Sequence, residues 1–327
     1  MLRFLDAYDF ASEGEEGVQD GDERPLISAA VLGLIFEKIN GYRDGSFYTP
    51  GFITMYMCRY SLRRAVVRHF NARFGLAAAD VAALRERLDD QPQRRLEFSA
   101  AFNELRVCDP AVGSGHFLVS ALNELLAIKS ELHLLLDAAG QRLRYTLTVA
   151  RDELVVTDDE DLDTLVQYRA AYHDGPGPTR QVSKQHTRLQ SALFREKRQL
   201  MEHCLYGVDL NPNSVRICRL RLWIELLKHA YYTPESALLE LETLPNLDLN
   251  VRAGNSLIGR YALTDDLTDV FRRKDTSVAA YRRAFGQFFS ARGARPSRSC
   301  KSFWAGSRSS SPRPCSATTR CSSASGG

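Results

Sequence analysis

The chain is short of several things, and each gap closes off a class of protein. Its seven cysteines include no C-x-x-C pair, which argues against a structural zinc knuckle and against a disulfide framework. Cys108, Cys204 and Cys218 stand in apolar surroundings, where a small buried thiol is the expected state. No apolar run approaches the roughly 18 residues of a membrane span, and Met1–Asp20 carries acids where a signal peptide needs an apolar centre. A reduced, cytoplasmic protein without a membrane anchor is therefore expected. Acid is missing altogether beyond Asp275, where nine Arg or Lys occur. The formal net charge of +3 thus hides a body, residues 1–275, with 34 basic against 40 acidic side chains.

Residues 293–327 hold eleven serines, five arginines, three cysteines and no acid. That composition cannot bury enough apolar surface to offset chain entropy, so a disordered basic tail is expected. The abrupt change in composition fits a shifted reading frame better than a tail that binds nucleic acid.

What is present is concentrated in residues 107–118, Val-Cys-Asp-Pro-Ala-Val-Gly-Ser-Gly-His-Phe-Leu. An apolar lead-in ends on Asp109, Pro110 and Ala111 follow, and Gly113 and Gly115 form a turn ahead of a helical run from Phe117 to about Ala139. Strand, acidic tip, glycine turn and helix bring backbone close to a nucleotide-like ligand. The dinucleotide fingerprint would need glycine at 118 and an acid about 20 residues on. Position 118 is Leu118, and the next strand tip, Asp209, is about 94 residues past Gly115, so a nicotinamide cofactor is disfavoured.

Leu205–Asp209 reads as a second buried strand ending on an acid, followed by a helix over Ser214–His229. A third strand is expected at Leu249–Ala253, closed by Gly254-Asn255-Ser256-Leu257. Asp209 has the position to accept two ribose hydroxyls or to cap the next helix. Asn255 is either an amide facing an adenine edge or an ordinary turn residue. Upstream, Pro25–Asn40 and about Pro50–Phe70 read as helices, with Phe47-Tyr48-Thr49-Pro50 at the head of the second, and 76–104 reads as helical and charged. Arg59, Arg63, Arg64 and Arg68 read as a solvated helix face in preference to a local patch for nucleic-acid phosphates. After the helix from Phe117 a polar stretch runs to roughly Leu200, with breakers at Asp174-Gly175-Pro176-Gly177-Pro178.

Taken in order, Phe-Tyr-Thr-Pro, Asp-Pro-Ala-x-Gly-Ser-Gly, Gly-Val-Asp-x-Asn-Pro and Gly-Asn-Ser-Leu resemble the gamma class of N6-adenine DNA methyltransferases over about residues 26–260. The likeness is nearest to restriction-modification enzymes of the type IIG kind and related phage-defence methylases. The resemblance implies an α/β fold: an incomplete, doubly wound, Rossmann-like methyltransferase sheet over 105–292, with a long helical insertion at about 130–203 and a helical region at 1–104. It implies S-adenosylmethionine as cofactor and double-stranded DNA as partner. By the same resemblance Asp109, Pro110, Ala111, Gly113 and Gly115 hold the methionyl part, Thr49 touches its end, Asp209 takes the ribose and Asn255 the adenine. The family's Asn-Pro-Pro-Tyr or Asn-Pro-Pro-Phe motif does not occur; Asn-Pro is found only at Asn211-Pro212. No catalytic residue is therefore assigned. A truncated chain is expected that transfers no methyl group without a partner or a missing C-terminal half.

Overall fold

The computed structural model of the chain describes residues 49–150, 152–159, 184–231, 244–258, 280 and 283. The expected helix at Pro25–Asn40, the Phe47-Tyr48 pair, the breakers at 174–178 and the tail after 293 lie outside them. The chain divides into two units, Met1–Thr264 and Asp265–Gly327. Ala280 and Arg283 belong to the second, and the helices and strands named in this section all belong to the first.

Helix α1, Gly51–Phe74, begins after Pro50, whose φ of −56° suits a helix entry, and stops at Gly75, left-handed at φ 66°. Thr54, Cys58, Leu62, Val66 and Phe70 recur every fourth residue and form its buried stripe. The expected continuous helix over 76–104 is corrected. Helix α2 covers Val81–Asp89, with the Asp80 carboxylate accepting from the Ala83 N–H at its start. A 3₁₀ turn at Pro92–Arg94 then precedes α3, Arg95–Phe102. Pro92 has no N–H to continue the α2 ladder, so the chain restarts. Phe74 meets Phe98 edge-on at 5.1 Å and Phe70 meets Phe102 at 6.5 Å, which joins α3 to α1.

Strand β1 is Val107–Asp109 and helix α4 is His116–Glu131. Thirteen of the sixteen α4 residues are buried, as in a helix surrounded by other elements. It does not run to Ala139 as expected. After Glu131 the chain folds back on itself, the Leu143 N–H donating to Leu135 O. The Asp137 carboxylate holds the Ala139 and Gln141 N–H groups, and Gly140 supplies φ 75°.

The helical reading of 130–203 is also corrected. Strands β2 (Tyr145–Ala150) and β3 (Glu153–Asp158) form an antiparallel hairpin before α5, Lys184–His203. Thr146, Thr148, Val149, Val155, Val156 and Thr157 are β-branched and favour this pleated surface over a helix.

Strand β4 is Leu205–Asp209, α6 is Pro212–Leu227 and β5 is Val251–Ala253. The strands β1, β4 and β5 lie parallel in that order, with Asp109 opposite Gly207 and Asp209 opposite Ala253. The chain is therefore α/β with a parallel sheet, and the carboxyl ends of its strands gather at one edge. Asn250 sets the start of β5: its buried amide donates to the carbonyls of Met201, Glu202 and Leu205, each at 3.0 Å.

Charge is buried in pairs between the helices. Lys129 of α4 bonds Glu196 of α5, with Asn103 Oδ1 at 3.1 Å. Lys197 of α5 donates to Glu225 O at 2.8 Å, while Lys228 pairs with Glu225 at 2.9 Å and Glu153 at 3.4 Å. Burial pulls the Lys197 ammonium down to about 8, and Glu225 offsets part of that cost.

Of the thiols, Cys204 and Cys218 are buried as expected, but Cys108 is exposed, because β1 is an edge strand with one face uncovered. Among the described residues no helix is long and apolar enough to cross a membrane, and no His/Cys/Asp/Glu group could hold a metal ion.

Replacing Asn250 with Ala removes a two-proton donor shared among three buried carbonyls. Urea unfolding of Asn250→Ala is expected to show a loss of about 2–3 kcal/mol, at the upper end for unpaired buried groups. A loss below about 0.5 kcal/mol, the level of an ordinary surface change, would contradict this.

Candidate functional site

The glycine turn is pressed onto β4. The Val112 N–H donates to Val208 O at 2.9 Å, and the Gly115 N–H closes the turn on Val112 O at 2.8 Å. Gly113 and Gly115 take φ values of 53° and 92°, the left-handed region that side chains resist. Space is as strict as conformation. A Cβ on Gly115 would sit 2.6 Å from Cys218 Sγ, and one on Gly207 would sit 2.8 Å from Val112 Cγ2. The close approach of helix and strand, supplied by a third glycine in dinucleotide sites, comes here from Gly207 on β4. Leu118 fills the contact instead, fully buried.

The two acids at the strand ends have different surroundings. Asp209 accepts from the Gly113 N–H through Oδ2 at 2.9 Å and from the Asn211 N–H through Oδ1 at 2.8 Å. Each of these oxygens keeps a further lone pair. Asp109 accepts from the Ala111 N–H through Oδ1 at 3.0 Å, while its Oδ2 is buried without a hydrogen-bond partner among the described residues. Burial raises the Asp109 carboxyl above the usual range; the Ala111 N–H opposes this and the nearby Asp209 charge adds to it. The buried Arg221 is engaged elsewhere, facing Ser114 and His116 at 3.3–3.4 Å. The turn thus combines two carboxylates, one acceptor with no donor, and the open N-terminus of α4, which Gly115 caps without a side chain. Such an arrangement suits a ligand that brings a cationic donor to Asp109 and hydroxyls to Asp209.

Of the other residues expected here, Pro110 and Ala111 are on the turn, Pro110 and Ala111 both reaching solvent. Asn255 lies beside the site, since the neighbouring Gly254 N–H donates to Asp209 O at 2.8 Å. Its side-chain oxygen accepts from the Leu257 and Ile258 N–H groups at 2.8 and 3.0 Å, within its own turn. Thr49 stands half-buried one residue ahead of Pro50 at the head of α1, and no described hydrogen bond joins it to the two acids. Asn211-Pro212 opens α6: Asn211 Oδ1 accepts from the Asn213 N–H at 2.9 Å and Pro212 occupies the first turn. The capping role is therefore Asn211's, and Asp209 holds the glycine turn.

The sequence pattern did not single out Asp152. It forms the hairpin tip at φ 66°, and its Oδ1 accepts from Ser120 Oγ at 2.6 Å. Ser120 Oγ also lies 2.8 Å from Thr54 Oγ1 of α1, and Asn123 Nδ2 donates to Asp152 O at 2.9 Å. Burial raises the Asp152 carboxyl, against the Ser120 hydroxyl and the charges of His116 and Arg221. Its signal was present in outline, as two β-branched runs flanking a short polar turn.

Compared with known proteins, residues 85–281 match the family model of the MmeI DNA-methyltransferase domain. A protein of Methanocaldococcus jannaschii described as a putative type II restriction enzyme and methyltransferase is 29% identical over 276 residues, which is 79% of this chain and 18% of that protein. A type II restriction enzyme and methyltransferase of Escherichia coli is 37% identical over 65 residues, 20% of this chain and 6% of that protein. The chain spans less than a fifth of the length of these curated relatives. No solved structure matches.

Gly115→Ala introduces both a contact at 2.6 Å and a side chain at φ 92°. A loss of about 2–4 kcal/mol is expected by chemical denaturation, overpacking and backbone strain together. Gly115→Ala/Cys218→Ala removes the 2.6 Å clash, leaving residue 218 no nearer than 3.3 Å, but does not change the dihedral. The double variant should therefore remain about 1 kcal/mol or more less stable than Cys218→Ala alone, and equal stability of the two would refute the conformational argument.

Proposed function

The chain belongs to the family of MmeI DNA-methyltransferase domains, and from that premise we propose that it is the cofactor-binding part of an adenine-N6 DNA methyltransferase using S-adenosylmethionine. The observation that carries this reading is the buried, unpartnered Asp109 Oδ2 beside a turn that only glycine fits. An α-ammonium group supplies the donor that Asp109 lacks, and its positive charge relieves the repulsion from Asp209. In this reading the parallel strands are the first part of a Rossmann-like, doubly wound sheet over 105–292, preceded by a helical region at 1–104.

S-adenosylmethionine supplies, when bound, a methyl group activated on a positively charged sulfur. The chain's own residues bind and orient it. Asp109 accepts from the ammonium, and the Pro110–Gly115 turn lets backbone approach the methionyl part. Asp209 keeps lone pairs for the ribose hydroxyls while holding Gly113, Asn255 borders the adenine, and Thr49 at the head of α1 borders the methionine end. The bound DNA adenine would need an aromatic face and acceptors for its amine. No Asn-Pro-Pro-Tyr or Asn-Pro-Pro-Phe run supplies them in this sequence. The chain is thus a cofactor-holding portion whose methyl transfer requires residues outside it, from a partner or from the rest of a longer protein.

Binding, melting and methyl-transfer measurements test the proposal. Calorimetric titration should show binding of S-adenosylmethionine and none of NAD; NAD binding alone would overturn the assignment. Asp109→Asn should weaken S-adenosylmethionine at least tenfold, as loss of a charge-assisted bond to a buried acceptor implies. The same change removes a carboxylate whose ionised form the fold disfavours, so at neutral pH the free protein should melt about 2 °C or more higher. The ionised Asp109 is the binding form and its folded pKa is raised. The dissociation constant should therefore grow by roughly tenfold per pH unit once pH falls below that pKa, and Asp109→Asn should flatten the profile. Incorporation of labelled methyl into DNA adenine by this chain alone would contradict the assignment of transfer to residues outside it.

A further inference from the structure

The outer face of α1 is not accounted for by the cofactor site. Residues 45–79 contain no Asp or Glu, and α1 carries Arg59, Arg63, Arg64, Arg68 and Arg73. This acid-free stretch lies in a body whose overall balance is negative. Two of the five arginines are used internally: Arg63 bonds Glu124 at 2.8 Å and Glu131 at 2.7 Å, and Arg73 bonds Glu104 at 2.6 Å. Arg59, Arg64 and Arg68 are exposed and make no ion pair among the described residues. Arg64 instead lies over the Tyr60 ring, 5.2 Å from its centre, and donates to the Tyr60 hydroxyl at 2.7 Å.

Interleaved with these cations is a row of exposed rings. Phe52, Tyr56 and Tyr60 are 70, 72 and 60% exposed, at four-residue spacing and therefore along one stripe of the helix. The buried stripe Thr54, Cys58, Leu62 faces the other way, toward α4, where Thr54 meets Ser120 and Cys58 donates to Phe117 O. Phe52 and Tyr56 stand on one wall of a cavity of about 640 Å³ whose lining also holds Arg142 and Tyr145, on β2 and before it. The lining includes the acids Glu124, Glu131 and Asp159, of which Glu124 and Glu131 pair with Arg63 and Asp159 pairs with Arg142.

We propose that this face of α1 is a docking surface for double-stranded DNA, with Arg59, Arg64 and Arg68 on phosphates and Phe52, Tyr56 and Tyr60 against the sugar and base edges beside them. Charge complementarity decides the occupant. A covering protein would have to supply acids for three guanidinium groups that have no ion pair among the described residues, whereas DNA brings a negative charge at every nucleotide. Guanidinium groups suit phosphate oxygens geometrically, and flat rings with no sequence preference suit the nucleotide surface. From Phe52 to Arg68 the helix extends about 24 Å, the rise of about seven base pairs. The proposal rests on the reading of the chain as part of a DNA methyltransferase and adds the surface by which this portion holds its substrate.

The test is fluorescence anisotropy of the full chain with a labelled duplex of about 20 base pairs, over a range of salt concentrations. Arg59→Ser/Arg64→Ser/Arg68→Ser should weaken binding at least tenfold at low salt and lower the magnitude of the log–log salt slope by about 2–3, near 0.9 for each phosphate no longer neutralised. Phe52→Ser/Tyr56→Ser should weaken binding with the slope unchanged. S-adenosylmethionine titration of each variant checks that the fold survives. An unchanged slope and affinity in the arginine variant, or no duplex binding by the parent chain, overturns the proposal. Sedimentation without DNA supplies the other arm: a dimer dissolved by Phe52→Ser/Tyr56→Ser would make this face a protein interface and also overturn it. Loss of S-adenosylmethionine binding by the parent chain strikes the cofactor assignment alone, and loss of arginine dependence strikes the surface alone.

Discussion

Two missing β-carbons govern the arrangement of this protein. At Gly207 the strand lies so close to Val112 that no side chain fits, and at Gly115 the start of α4 lies as close to Cys218 of α6. These contacts place the turn between β4 and α6 and fix where α4 leaves the sheet. Asp209 then clamps the turn through the Gly113 N–H. The parallel register sets Asp109 opposite Gly207, two residues short of Asp209. A one-residue shift of β4 would carry the carboxylate off the turn and send Gly207 away from Val112, so the sheet register and the site geometry are one constraint.

The central motif was legible because its chemistry is local. Strand, acid, glycines and helix follow one another within residues 107–118, and both the turn and the Leu205–Asp209 strand lie where the pattern placed them. What escaped depends on partners distant in the chain. The clamp from Asp209 to Gly113 spans 96 residues, and Asp152 reaches Ser120 over 32; neither leaves a periodic trace. Leu132, Leu134, Leu135 and Leu136 look like more helix, yet they are buried in the fold-back after α4, since leucine serves any buried position. The hairpin was missed although its β-branched residues favour strands, because its charged ends merge with the polar stretch that follows. Cys108 was misjudged because a three-residue edge strand has one face to spare.

The helices around the site are joined by charge as well as by apolar packing. Lys129, Glu196, Lys197 and Glu225 are nearly inaccessible to water, and such pairs add little net stability over apolar residues of the same size. Their geometry is more demanding than that of leucines, however. A helix rotated by one residue would strand a lysine in the interior, whereas a leucine core would adapt. The rotation of α5 and α6 about their axes is thereby tied to α4, the helix that follows directly from the glycine turn.

The hairpin tip links the two ends of this system. Asp152 bonds Ser120 near the start of α4, and the same hydroxyl meets Thr54 on the first turn of α1. The cationic outer face and the glycine turn are consequently mounted on helices that start from one shared hydrogen-bond junction. Thr54, Ser120 and Asp152 thus form a common origin from which the outer face of α1 and the turn-bearing α4 are both laid out.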